Sequence, residues 1–232
     1  MLNKTLKEAE KNADKLVLLI ASEIIQHNRR TEIKELITQS SINWVRFKEH
    51  ISYHEIIAFT YLSLKDYLSW MPESLVVFLR ENYYANILRF QFLEQEFFKI
   101  CNTCRSEKLI FVPIKGMGLF NYYDNLPLRQ MSDIDILIKE EKFSLVTDIF
   151  YRLSYEKYLM GSSEEYWRKK QCTLTFSKED NKFNFLVDVH WALDFKRKNN
   201  RGLPNLWNRA KETKFGTVQV RLLSEEDAFF AL

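Results

Sequence analysis

Asp133-Ile134-Asp135-Ile136-Leu137-Ile138 opens by alternating acid with isoleucine and closes on an apolar run. A period of two predicts a strand, because successive side chains project to opposite faces of a sheet. Asp133 and Asp135 then share one face, and Ile134, Ile136 and Ile138 share the other. Upstream, Leu109-Ile110-Phe111-Val112-Pro113-Ile114 is a short continuous apolar run, the pattern of a buried strand. Residues 172–176 and 185–191 read as two further strands around a polar turn at 178–182, and 218–222 as a last one. Between them, helical patterns run from Gly116 to about Tyr123, over 143–153, and briefly around Trp207.

Before residue 108 no run alternates as a strand should. Leu2, Leu6, Ala9, Ala13, Leu16, Ile20 and Ile24 recur at steps of three and four, on one helical face. A shorter helix fits 31–37, and Ser40-Ser41 can cap another that carries Trp44, Phe47 and Ile51. Residues 54–70 read as a fourth helix, broken by Pro72. A long helix follows over 73–107, with Leu75, Phe78, Leu79, Tyr83, Ile87, Phe90, Leu93 and Phe97 inward; its Phe-rich stripe reads as core. The expected architecture is α+β. A helical bundle over 1–107 packs on a small mixed sheet over 108–232. Ser224-Glu225-Glu226-Asp227 resembles a capping box with Asp in its last place. The helix it opens has about one turn, so its end is expected to be frayed or packed against a partner chain. The core is expected to be truncated there, with a further helical part beyond Leu232.

Composition narrows the function classes. The 232 residues carry 34 Lys and Arg against 31 Asp and Glu, a net charge of +3 that argues against binding a polyanion through bulk charge. Hydrophobic residues at 46% and charged ones at 28% exclude intrinsic disorder. With 5 Gly and 4 Pro, long flexible linkers and Gly-rich nucleotide fingerprints are not expected. The N-terminal apolar stretch at 16–21 is too short to span a membrane. Cys101, Cys104 and Cys172 cannot build a disulfide framework, which points to a reducing, cytoplasmic setting. Cys101 and Cys104 have metal-ligand spacing but no second pair, and read as helix packing. Arg168-Lys169-Lys170 and Lys196-Arg197-Lys198 read as solvated surface, with a nucleotide tail as the alternative.

The acids carry the chemistry. Two carboxylates on one strand face repel unless a cation lies between them, and Mg²⁺ is a hard ion suited to one or two carboxylates plus phosphate oxygens. The solvated start of an ordinary strand would show the same pair. Val187-Asp188-Val189-His190-Trp191 places a third acid within an apolar strand, where a shared metal or a basic partner must offset its burial. His190 shares the face of Asp188 and reads first as a structural histidine. Ile114-Lys115-Gly116-Met117-Gly118 joins a strand to a helix, where glycines permit close backbone approach and a helix start favours anions. An ordinary tight turn has the same pattern, and the Walker A spacing is absent.

Lys115-Gly116 after an apolar strand, followed by Leu128-Arg129-Gln130-Met131-Ser132-Asp133-Ile134-Asp135, resembles the DNA polymerase β-type nucleotidyltransferase superfamily. Most similar are the bacterial uncharacterised nucleotidyltransferases with a Lys-Gly loop and an Arg-x-x-x-Asp-Ile-Asp strand. The resemblance covers about 108–232; Ile42-Asn43-Trp44 in the helical half is similar but less specific. It implies that Asp133, Asp135 and Asp188 are catalytic and hold Mg²⁺ or Mn²⁺. It also implies that Lys115, Gly116, Gly118, Arg129 and Ser132 serve the nucleotide. Met117 departs from the usual second Gly or Ser. The implied activity moves a nucleoside monophosphate from a nucleoside triphosphate to a small molecule, sugar, protein or RNA and releases pyrophosphate. Two alternatives stand beside it. One is a non-catalytic nucleotide- or partner-binding module on the same fold. The other is an Asp-x-Asp glycosyltransferase, whose sheet would need more βα units than 108–232 can hold.

Overall fold

A computed structural model of the chain describes residues 2–26, 29–123, 125–180, 183–193 and 205–231. The fold is α+β. It divides into two compact units, Met1–Phe90 with Asn125–Gln130, and Gln91–Asp124 with Met131–Leu232.

The first unit holds α1 (Leu2–Gln26), α2 (Arg30–Gln39), α3 (Trp44–Tyr53), α4 (Ile57–Leu64) and the first half of α5 (Glu73–Ser106). Ala13, Leu16, Ile20, Ile33, Phe47, Ile51, Leu64 and Leu79 form its core; the expected face of α1 is buried at Ala9, Ala13, Leu16 and Ile20, whereas Leu6 is exposed. The cap of α3 is Asn43, not the serines at 40–41: its side-chain oxygen accepts from the Arg46 amide at 3.1 Å. The Asn43 amide in turn donates to the Ala9 carbonyl at 3.0 Å, fixing where the helix can start. The single helix expected over 54–70 is also corrected. A turn at His54 and Glu55 precedes α4, and Lys65–Trp70 tightens into a 3-10 helix.

That turn shows how this glycine-poor chain stops its helices. Glu55 takes φ 56° after α3, with Ile56 N donating to Ile51 O and Glu55 N to Ser52 O. The end of α5 repeats the pattern at Lys108, φ 55°, with Leu109 N to Cys104 O and Lys108 N to Arg105 O. These paired bonds satisfy terminal carbonyls, and the left-handed residue between them is ordinarily glycine. A third copy lies at Ser154, φ 65°. Ser154→Gly is therefore expected to raise stability by about 0.5–1 kcal/mol, since glycine takes a left-handed backbone without the Cβ clash. Urea unfolding measures this, and an unchanged or lower midpoint would count against the strain.

The second unit is built on a five-stranded sheet in the order β1-β2-β5-β4-β3. Its strands are β1 (Phe111–Ile114), β2 (Ile134–Ile138), β3 (Glu156–Lys157), β4 (Thr173–Asp180) and β5 (Phe183–His190). β2 and β5 run parallel; the other neighbours are antiparallel, making the sheet mixed. Three helices lie between these strands in sequence: α6 (Lys115–Gly118), α7 (Phe143–Arg152) and α8 (Glu164–Lys170). Beyond β5 come α9 (Leu206–Arg209), a separate hairpin of β6 (Lys211–Phe215) and β7 (Val218–Leu222), and α10 (Glu225–Phe230).

Leu174, Phe176, Val187 and Val189 share a face with Ile134 and Ile136 and are buried. α7 lies on that face, with Phe150 and Phe143 ring centroids 5.0 and 6.5 Å from that of Phe176. On the opposite face, Val112, Ile114 and Leu137 pack with Leu206, Ala210, Leu223, Ala228 and Ala231. The short α10 is thus held by its buried alanines, by Ser224 Oγ accepting from the Asp227 amide, and by an Arg209–Asp227 ion pair at 2.5 Å. Tertiary packing supplies what so short a helix lacks alone.

Several local expectations change. The helix after β1 stops at Gly118 and resumes only as a 3-10 turn over Phe120–Tyr122. A Cβ on Gly118 would lie 2.5 Å from the Pro113 carbonyl oxygen, so this glycine lets the turn fold back on β1. The β4–β5 hairpin is longer than the polar residues suggest, because Lys178, Glu179 and Asp180 continue β4. Arg168, Lys169 and Lys170 close α8, where cations complement the helix dipole; the cluster at 196–198 lies outside the described residues. Cys101 and Cys104 are buried in α5, and burial pushes both thiols up, Cys104 to about 12. Among the described residues no helix is long and apolar enough to cross a membrane.

Candidate metal centre

Pairing register assembles the site. Asp135 on β2 lies opposite Ile114 on β1 and Asp188 on β5, and Asp188 lies opposite Thr175 on β4. Two residues further along the same face, Val112, Leu137, His190 and Thr173 form the next row. The face therefore changes from an apolar half at β1, covered by α9 and α10, to a polar half at β5 and β4. Two acids from strands 53 positions apart in sequence (188 minus 135) are brought side by side by one parallel pairing.

Each acid is held through one oxygen. Asp135 Oδ1 accepts from Lys115 Nζ at 2.8 Å and from His190 Nε2 at 2.9 Å. A carboxylate only accepts, so Nε2 carries the proton in this arrangement. Asp188 Oδ1 accepts from the Thr175 hydroxyl at 2.6 Å. No hydrogen bond to Oδ2 of either acid is found among the described residues. One ligand atom each from Asp135, Asp188 and His190 falls within 4.8 Å of the others. Hard oxygens at that separation suit a divalent ion with bonds of about 2.1 Å to each ligand.

The charges bear the marks of crowding. Burial would push the Asp135 carboxyl up, but its bonds to His190 and Lys115 outweigh that and hold it below the usual range. Asp133 moves the other way: burial, then the charges of Asp135 and Asp188, raise it against Lys115 and a bond from Ser132. Burial opposes the charged form of His190, yet its bonds to Asp135 and Cys172 leave it raised.

Of the residues singled out in the sequence, Asp135, Asp188 and Lys115 come together directly. Asp133 stands one residue before β2, within the electrostatic reach of the other two acids but outside the 4.8 Å group. Ser132 is exposed and precedes Asp133 directly in sequence. Gly116 is buried in α6, and a Cβ there would meet only the Met131 thioether at 2.9 Å. Arg129 falls in the 125–130 segment, which belongs to the first unit. His190, expected as a structural histidine on the face of Asp188, is buried and bonds Asp135. Its signal was parity, since it shares the face of Asp188, but parity alone does not separate a site residue from a buried structural one.

The profile of the uncharacterised nucleotidyltransferases matches residues 40–232. The chain belongs to that family. Membership extends to the helices from residue 40 onward as well as to the sheet, so the helical region is part of what defines these nucleotidyltransferases. It also removes the ground for an Asp-x-Asp glycosyltransferase. No curated protein and no solved structure gives a match.

Proposed function

We propose that this nucleotidyltransferase moves a nucleoside monophosphate from a nucleoside triphosphate to an acceptor hydroxyl, releasing pyrophosphate, with Mg²⁺ or Mn²⁺ at Asp135 and Asp188. The supporting observation is the pair of carboxylates in register on β2 and β5, each with one oxygen tied and the other turned to no protein partner among the described residues. A bound divalent ion supplies Lewis-acid stabilisation of the attacking and leaving oxygens.

The residues divide the remaining work. Asp133 and Asp135 anchor the triphosphate side of the centre. Asp188, steadied by Thr175, faces the acceptor and takes the proton its hydroxyl loses as the new oxygen–phosphorus bond forms and the bond to pyrophosphate breaks. His190 holds Asp135 in orientation from a buried position. Lys115, Gly116, Gly118 and Ser132 contact the phosphates, and Arg129 is assigned to them on the resemblance alone. The cytoplasm is the proposed setting.

Labelled triphosphates incubated with the protein, Mg²⁺ and cell extract test this. Pyrophosphate release, with label appearing on an acceptor, is the expected outcome. Binding without release for every nucleotide would instead favour a non-catalytic module on the same fold.

A further inference from the structure

Lys115 is placed oddly for a residue that only waits for phosphate. It follows Ile114, the residue paired with Asp135 across β1 and β2, and its own backbone takes φ 47°, a left-handed conformation that a side-chain-bearing residue adopts at a cost. The effect is to lay its ammonium on Asp135 Oδ1 at 2.8 Å. Asp135 is surrounded by like charge, with Asp188 opposite it in register and Asp133 two residues earlier. A buried group of acids needs a positive charge nearby whether or not a metal is bound.

The two groups that hold Asp135 differ in freedom. The His190 side chain is 10% exposed and that of Asp135 5%, so both are enclosed. The Lys115 side chain is 37% exposed and can swing outward without unpacking the sheet. A dication arriving on the carboxylates would sit close to the ammonium and repel it.

We propose that Lys115 is a built-in counter-ion that stands in the cation's place in the metal-free centre and is released by metal towards the phosphates of the donor. The idea rests on the metal centre proposed above and adds a displacement step to it. No bond is made or broken; one ion pair is exchanged for another. The same lysine then serves both states, neutralising Asp135 before metal enters and carrying positive charge to the triphosphate afterwards.

The test uses the whole chain, stripped with chelator and titrated with Mn²⁺ in the absence of nucleotide. Free Mn²⁺ is followed by electron paramagnetic resonance, and Lys115 acetylation by a brief pulse of acetylating reagent with mass spectrometry. Acetylation of Lys115 is expected to rise several-fold in step with bound Mn²⁺, while that of exposed Lys211 stays constant. Lys115→Met is expected to bind Mn²⁺ several-fold more tightly, because nothing has to be displaced. Bound Mn²⁺ with flat Lys115 acetylation, or an affinity in Lys115→Met no higher than in the native chain, would overturn the counter-ion while leaving the metal centre standing. Absence of Mn²⁺ binding would overturn both.

Discussion

Asp188→Asn is expected to lower nucleotidyl transfer by roughly a hundred- to a thousandfold, the scale on which losing a group that meets transition-state charge acts. Asparagine keeps the size and can still accept from Thr175 Oγ1, so the β4–β5 packing is left in place. What is lost is the charge beside Asp135 and the capacity to take the acceptor's proton. Triphosphate binding should stay largely intact, because Asp133 and Asp135 anchor that side. Asp135→Ala should differ. It removes the acceptor of both Lys115 and His190, so it should weaken binding and transfer together. Steady-state kinetics beside calorimetric binding separate the two patterns. Full transfer by Asp188→Asn would remove the proposed mechanism.

Glu96→Gln should give the largest loss of stability, about 3–5 kcal/mol, the usual cost of removing one partner from a buried ion pair. Glu96 has no exposed surface, although it lies on the apolar side of α5. Its carboxylate pairs with Lys178 from β4 and with Lys99 at 3.1 Å, and accepts from the Tyr155 hydroxyl at 3.1 Å. Lys178 is itself nearly enclosed, resting over the Tyr155 and Phe185 rings at 4.8 and 5.2 Å. An amide would leave that ammonium without its counter-charge. The sign of the pH dependence follows from the same contacts. Burial would raise the Glu96 carboxyl, but the two ammonium groups outweigh it and set the folded value below the ordinary 4.5. Its contribution is therefore complete above pH 4.5 and fades as pH falls through the folded value. Urea unfolding of both proteins should show the gap at neutral pH and its narrowing in acid. A gap that is small at pH 7 would show that the pair is not holding α5 to the sheet.

Glu96 also shows where sequence reading stops. The apolar stripe of α5 was legible because period and length both favour a helix, and Leu93 and Phe97 are indeed buried. The stripe gave no hint that an acid between them would be buried too, since its partner lies 82 residues away on β4. β2 was readable from alternation, and β5 from an acid caught between valines. β6, with the sequence Lys-Glu-Thr-Lys-Phe, was not, because a largely exposed hairpin strand carries no apolar face to betray it. The ends of α5 and α7 fall within one residue of the expected 107 and 153, whereas the break at Glu55 was not foreseen. Glu55, Lys108 and Ser154 do the work of glycine, and nothing in their side chains announces a left-handed backbone. At the site, Asp135 and Asp188 could be named from strand parity, whereas His190 needed the register of β2 on β5 to bring it to Asp135.

The most direct test of the metal centre is calorimetric titration of a nucleoside triphosphate into the protein with Mn²⁺ and again with excess chelator. Binding with the metal, lost or greatly weakened by chelator and by Asp135→Ala, is the predicted result. Equal binding in both solutions, or binding indifferent to Asp135, would contradict a divalent cation at the β2–β5 carboxylates.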